Sequence, residues 1–225
     1  MADQRVDEKY TPMRDRHDAQ HASANGYVGN WFFQREQRFL LNRIQPGLTL
    51  DIACGSALML KRAPGLDVIG LDFNADACRQ ARSNQTAITR GDAFTLPFAE
   101  HCFDNVVNCQ FLNQQPIGQE QLFITEAARV LKPGGQLHIM WRGATTLIHR
   151  SVNQLSRTLN RVKGEPNFPQ FVHTPDNLVR VAKSCHLSEV VRTMTLPLGP
   201  AEIQPQNPFA AIFGASHYLC LEKTG

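Results

Sequence analysis

The chain has little that would mark it for metal, membrane or nucleic acid. Its six cysteines, Cys54, Cys78, Cys102, Cys109, Cys185 and Cys220, form no CxxC pair and no Cys/His cluster at zinc-ligand spacing, so neither a metal site nor a disulfide framework is expected. No apolar run nears the ~20 residues needed to span a bilayer. The start, MADQRVDEKY, lacks the basic flank and apolar stretch of a signal peptide, which makes the cytoplasm the expected location. Net charge is +3, from 23 Lys+Arg against 20 Asp+Glu, and the basic residues are scattered, too mild and too dispersed for a nucleic-acid footprint. With 42% hydrophobic and 19% charged residues over 225 positions, what remains is one folded α/β domain with a modest appendage.

Alternating strand and helix signals organise that domain. Residues 1–30 are polar and read as a flexible arm. WFFQREQRFLLNRI, from Trp31, sets apolar residues among charges as an amphipathic helix ending before Pro46-Gly47. LTLDIA (48–53) is a first strand, followed by a turn at Cys54-Gly55-Ser56 and a short helix near Leu58–Arg62. LDVIGLD closes on Asp72, and Asn74 can cap the helix ADACRQARSN. AITRGD ends at Asp92, and FDNVVNCQF begins at Phe103, where Asp104 is expected to be structural. In QEQLFITEAARVL, Ile124, Ala127, Ala128 and Leu131 form one stripe. Lys132-Pro133-Gly134-Gly135 stops that helix with a type II turn before QLHIMW.

Strands alternating with helices imply a doubly wound, mostly parallel sheet, whose ligands lie beyond the carboxyl ends of the strands. That edge collects Asp51–Ala57, Asp72, Asp92, Asn108–Gln114 and Trp141–Gly143. LIHRSVNQLSRTLNRVKG places Ile148, Val152, Leu155, Leu159 and Val162 on one helical face and Arg150, Arg157, Arg161 and Lys163 opposite. Thr174-Pro175 starts a further helix with Leu178, Val181, Ala182 and Cys185 as its buried stripe. LSEVVRTMTL and HYLCLEK supply two closing strands, the second preceded by the apolar NPFAAIFG.

LDIACGSA, GLD, GDAFTLPF, FDNVVNCQFLNQ and RVLKPGG occur in that order over residues 50–135. The set resembles the motifs of class I S-adenosylmethionine-dependent methyltransferases, whose first motif is DxGCGxG, and in particular the small-molecule branch that includes ubiquinone and menaquinone biosynthesis enzymes. The resemblance implies a Rossmann-like doubly wound seven-stranded sheet with an antiparallel last strand and a helical lid insertion. It divides one domain into an arm and helix (1–45), a cofactor-binding core (46–143), a lid (144–173) and a closing helix and strands (174–225). S-adenosylmethionine is the implied cofactor, S-adenosylhomocysteine the product, and a small-molecule methyl acceptor the partner; oligomeric state is not legible.

Within that resemblance each block has a physical role. Gly55 lets backbone approach the cofactor, with Ala53 and Cys54 in the same turn, whose amides can meet the methionine carboxylate. Asp51 is assigned to the methionine ammonium. Asp72, 21 residues further on, can accept from both ribose hydroxyls. Phe73 packs on the adenine, Asp92 and Ala93 meet its amino edge, and Asn108 and Cys109 line the end of the fourth strand. Tyr27 and Trp31 are the arm residues expected to reach the cofactor. Neither Cys54 nor Cys109 has a basic partner in sequence, so both read as packed residues rather than nucleophiles.

Two departures from the pattern stand out. Ala53 and Ala57 occupy motif glycine positions, and Asn113 and Gln114 stand where the branch commonly carries histidines. Amides orient an acceptor but take no proton at neutral pH, so a base must come from elsewhere, with His149 on the lid the best placed. His17 and His21 lie on the arm, His101 in a loop and His138 inside a strand. A nicotinamide site would want G-x-G-x-x-G, where Ala53-Cys54-Gly55-Ser56-Ala57-Leu58 stands. A methylase of DNA-base amino groups would want Asn-Pro-Pro-aromatic in place of Asn108-Cys109-Gln110-Phe111. The open alternatives to a small-molecule methyltransferase are a nicotinamide-dependent oxidoreductase and a non-catalytic S-adenosylmethionine-binding regulatory protein.

Overall fold

The computed structural model describes residues 27–55, 57, 65–83, 87–142, 151, 154–155, 158, 161–162, 171–195, 202–203 and 216–225, without the side chains of 27–33 and 142. His17, His21, His149, the short helix near 58–62 and the stretch 207–214 lie outside the described residues, as do the side chains of Tyr27 and Trp31.

The strands are β1 (Leu48–Ile52), β2 (Asp67–Asp72), β3 (Ile88–Arg90), β4 (Phe103–Cys109), β5 (Leu131–Arg142), β6 (Leu187–Thr195), β7 (Glu202–Ile203) and β8 (Ser216–Lys223). The helices are α1 (Tyr27–Leu41), α2 (Ala75–Ser83), α3 (Glu120–Val130) and α4 (Pro175–Ser184). They build one sheet in the order β3-β2-β1-β4-β5-β8-β6-β7. β1 to β5 pair in parallel, and β8 inserts antiparallel between β5 and β6. The seven strands expected from sequence are all present. An eighth, the two-residue β7, is added at the edge, where it pairs with Met194 and Thr195. It escaped the sequence because Pro200 and Pro205 leave only a short stretch able to pair, as suits an edge strand.

The sheet's near-continuous burial follows from its two covered faces. On one, α3 and α4 pack Phe123, Ile124, Ala127, Leu178 and Ala182 against Leu50, Ile52, Val106, Leu137, Ile139, Trp141 and Leu219. On the other, α1 lays Phe39, Leu40 and Leu41, with Ile44 just beyond its end, over Val107, Met140, Tyr218 and Cys220. Asn74 caps α2, its Oδ1 accepting from the amides of Asp76 at 2.8 Å and Ala77 at 3.2 Å. Thr174 caps α4 through the Asn177 amide, with Pro175 in the first turn.

The KPGG turn departs from expectation. Gly134 has the positive φ (+75°) that a type II turn demands at its third residue. β5 nevertheless begins earlier, at Leu131 opposite Phe103, and absorbs the turn as a slip in register before Asn105 meets Gln136. In the segment expected as a lid, the described residues of 151–162 are helical, but Leu155 is 62% and Val162 81% exposed. The expected apolar face is therefore not turned inward at these two positions.

Asp104 sits far from the carboxyl edge and is structural, as expected. It accepts from the Leu48 amide at 2.9 Å and from Lys132 Nζ at 2.9 Å, bonds that hold its carboxyl below the usual range. Gly47 lies against it with φ +136°, and an added Cβ would come within 2.6 Å of Asp104 Cβ. Asp104→Ala is expected to cost about 1 kcal/mol, the partial exposure of the ion pair keeping the loss small. Gly47→Ala is expected to cost more, about 2 kcal/mol, because clash and backbone strain coincide. Thermal melts of the two variants check the order; a milder Gly47→Ala would refute it.

Candidate functional site

β1 delivers Asp51 to its carboxyl end, where the residue is only 2% exposed and pairs in register with Gly70 and Val107. The chain then turns sharply. Ala53, Gly55 and Ala57 all have positive φ, at 59°, 57° and 57°. These are the positions where the motif carries glycine, so the alanines adopt the glycine conformation at a steric cost of about 1 kcal/mol or more each. Ala57 is fully buried, and its amide bonds to the Cys54 carbonyl at 3.0 Å.

Asp72, at the end of β2, holds this turn. Its Oδ2 accepts from the Gly55 amide at 2.8 Å and its Oδ1 from the Asn74 amide at 2.9 Å, while Cys54 N bonds Leu71 O at 3.1 Å. Two strand-end carboxylates thus stand side by side in a buried place. Burial, and then the charge of Asp72, push the Asp51 carboxyl well above its ordinary range. Such a site asks for a cation. Burial followed by Asp51 and Asp72 also pushes the Cys54 thiol up, which leaves it unreactive.

The remaining expected residues gather along the same edge. Phe73 is half-buried beyond Asp72, and its carbonyl accepts from Arg90 Nε at 3.0 Å. Asp92 turns the chain after β3 through the Phe94 amide at 2.9 Å, with Ala93 buried beside it. Asn108 is fully buried and donates to the Ile52 carbonyl at 2.9 Å, fixing the end of β4 to that of β1. Cys109 faces α1, half-buried.

Asn113 and Gln114 lie in a short 3-10 turn, Leu112–Gln114. The Asn113 carbonyl accepts from the Phe171 amide at 2.9 Å, and Gln114 Nε2 donates to Gln110 O at 3.2 Å. These bonds shape the loop and hold the segment that leads into α4. That segment is further clipped by His173, whose carbonyl accepts from Trp141 Nε1 at 2.9 Å and whose Nε2 meets Gln115 O at 3.0 Å. His138 is fully buried against Tyr218 Oη at 2.9 Å, and His101 bonds Leu131 O at the opposite end of the sheet.

Sequence reasoning missed two features of this edge. His217 stacks on Trp141, ring centroids 5.1 Å apart. Glu36 of α1 accepts from Gln110 Nε2 at 2.8 Å and from Ser216 Oγ. A glutamate amid the apolar residues of α1 was the sole hint of the second, and nothing pointed to the first.

Residues 50–139 match the family model described as a methyltransferase domain. The tRNA methyltransferase 9B of Bos taurus, named as probable, is 33% identical over 106 residues, 47% of this chain and 23% of that protein. The demethylmenaquinone methyltransferase of Thermus thermophilus is 33% identical over 151 residues, 59% of this chain and 66% of that protein. The chain therefore spans less than two thirds of either relative. A solved SAM-dependent methyltransferase from Thermotoga maritima shares the fold, with TM-score 0.72, 14% identity and coverage of 98% of this chain and 99% of that one.

Proposed function

We propose that this chain, whose residues 50–139 match a methyltransferase domain, is a class I S-adenosylmethionine-dependent methyltransferase that transfers the sulfonium methyl to a small-molecule acceptor by direct in-line displacement. The observation that carries this reading is the buried pair of Asp51 and Asp72, with Asp72 also accepting from the Gly55 amide of the turn between them. When bound, S-adenosylmethionine supplies an electrophilic methyl group. Asp51 holds the methionine ammonium, whose charge offsets two crowded carboxylates. The left-handed turn at 53–57 keeps backbone close to the methionine end. Asp72 takes the ribose hydroxyls with the lone pairs that the Gly55 and Asn74 amides do not use, Phe73 covers one adenine face, and Asp92 with Ala93 meets its edge. The protein's work is then alignment and exclusion of water.

Native mass spectrometry of freshly purified protein tests the cofactor, with retained S-adenosylmethionine or S-adenosylhomocysteine expected; a retained nicotinamide dinucleotide would overturn the reading. Labelled methyl transfer to a small-metabolite fraction against transfer to bulk tRNA then tests the acceptor class. Asp72→Ala is expected to weaken S-adenosylhomocysteine by about 1.5–3 kcal/mol, the range for hydrogen bonds to a charged group. Phe73→Ala should cost less, since one ring face alone is lost. Calorimetry giving the reverse order would displace the ribose assignment.

A further inference from the structure

At the carboxyl edge of the sheet, one histidine is tied to the loop after β4, to the end of β5 and to the first turn of α3. His173 is 3% exposed, Gln115 1% and Glu120 2%. The Gln115 carbonyl can only accept, so its 3.0 Å contact with His173 Nε2 places a proton on that nitrogen and fixes it as the donor. The other ring nitrogen, Nδ1, faces Glu120 Oε2 at 3.6 Å, too long for a hydrogen bond. Glu120 is itself engaged, Oε2 accepting from the Gly118 amide at 2.6 Å and Oε1 from Asn177 Nδ2 of α4. The His173 carbonyl accepts from Trp141 Nε1 at 2.9 Å, at the end of β5.

Two bonds cross from this segment to the turn after β4, and they bracket it. Phe171 N donates to the Asn113 carbonyl at 2.9 Å and His173 Nε2 to the Gln115 carbonyl, so the backbone is held on both sides of Gln114. Within the turn, the backbone amides of Gln114 and Gln115 bond the Phe111 and Leu112 carbonyls at 2.9 and 2.8 Å. Those bonds give the turn its shape but not its place relative to β5. His173 supplies the place, because the residue that reaches Gln115 is also pinned to Trp141. The packing of α3 and α4 does not require it, since Phe123, Ile124, Leu178 and Ala182 already join one apolar core. The arrangement even leaves His173 Nδ1 buried without a hydrogen bond, a loss of stability that an apolar side chain would avoid. What the histidine adds is position, at an edge where sheets of this kind hold their ligands.

Resting on the methyl-transfer reading, we infer that His173 is a positioning residue for the acceptor. Its Nε2–H, donated to the Gln115 carbonyl, holds the 112–115 turn against the end of β5, so that the turn meets the acceptor at one fixed distance from the methyl group. The histidine acts through the turn and does not touch the reacting atoms.

The test measures label transfer from saturating S-adenosylmethionine to the small-molecule fraction of yeast extract, and S-adenosylhomocysteine affinity by calorimetry, for the full chain and three variants. His173→Leu removes both ring nitrogens, His173→Asn keeps a polar atom near Nδ1 alone, and His173→Gln reaches as far as Nε2. The leucine and asparagine variants are expected to lose about tenfold or more of the maximal transfer rate, as small misplacements of a reacting group do. Their S-adenosylhomocysteine affinity should match wild type, and His173→Gln should recover most of the rate. A purely structural histidine would lower melting temperature in step with activity and draw no distinction between the asparagine and glutamine variants. Should His173→Leu not fold, that contrast carries the test. A wild-type rate in His173→Asn, a loss that His173→Gln does not restore, or a parallel loss of S-adenosylhomocysteine affinity each overturns the positioning role. If the wild-type chain labels bulk tRNA rather than the small-molecule fraction, the same variants are read on tRNA with the same outcomes. A wild-type chain that fails to bind S-adenosylhomocysteine, or that labels neither fraction, would instead overturn the methyl-transfer reading beneath it.

Discussion

Asp51→Asn is expected to raise the melting temperature of the ligand-free protein and, in the same variant, to weaken S-adenosylhomocysteine binding by about 2–5 kcal/mol, the cost of truncating one partner of a buried charge pair. The stability half follows from the sign of the pKa shift. Burial and then Asp72 raise the folded-state value of Asp51 above that of the unfolded chain, near 3.9. Stability therefore falls as pH rises through that window, and the loss persists at neutral pH. Asparagine keeps the shape without the charge, so the loss disappears, each kcal/mol regained being worth about 2–4 °C in a chain this size. The binding half follows because an amide presents no charge to the ammonium. Scanning fluorimetry without ligand and calorimetry with S-adenosylhomocysteine read the two halves separately. Unchanged affinity would place the ammonium elsewhere, and a lower melting temperature would mean that Asp51 supports the turn more than its charge opposes it.

Why the turn after β1 was legible and the Glu36 cluster was not has a physical explanation. The turn after β1 is local: Asp51, Ala53, Gly55 and Ala57 lie within seven residues, and their backbone geometry is written in their order. Asp72 is reached by one crossover, so strand ends and spacing suffice to set it beside Gly55. Even with alanine at two of the three motif glycine positions, the backbone there takes the positive φ of glycine. The Glu36 cluster joins residues 74 and 180 positions apart. No periodicity encodes such a meeting, because it depends on which face α1 covers and on β8 lying next to β5. β7 failed to register for a different reason, its two residues being too few to show alternation. Asn113 and Gln114 lie in the 3-10 turn that follows β4, and their hydrogen bonds run to the loop itself and, through backbone, to Phe171.

Acidification from pH 7 is expected to destabilise the ligand-free protein well before its carboxylates titrate, through two buried histidines. Burial, then Arg43, lowers His138 to about 4; burial, then Arg192, lowers His217 to about 4. The unfolded chain takes up these protons near pH 6.5 while the folded one refuses them, so the contribution of each is complete above that value and is lost as pH falls toward 4. The loss is on the order of 3 kcal/mol for each ring, and two such losses rival the 5–15 kcal/mol that a domain commonly has. Asp104 and Glu126, whose values are lowered by Lys132 and Arg129, withdraw their support only at lower pH still. Asp51 works in the opposite sense, gaining as it protonates, so the informative quantity is the difference between wild type and variant. His138→Gln retains a polar group for Tyr218 Oη yet cannot titrate. Urea denaturation of wild type, His138→Gln and His217→Gln from pH 7 to about pH 4.5 should give visibly flatter stability curves for each variant. Curves that stay parallel to wild type would mean that these rings take up protons without unfolding, and the acid sensitivity would have to be sought among the carboxylates.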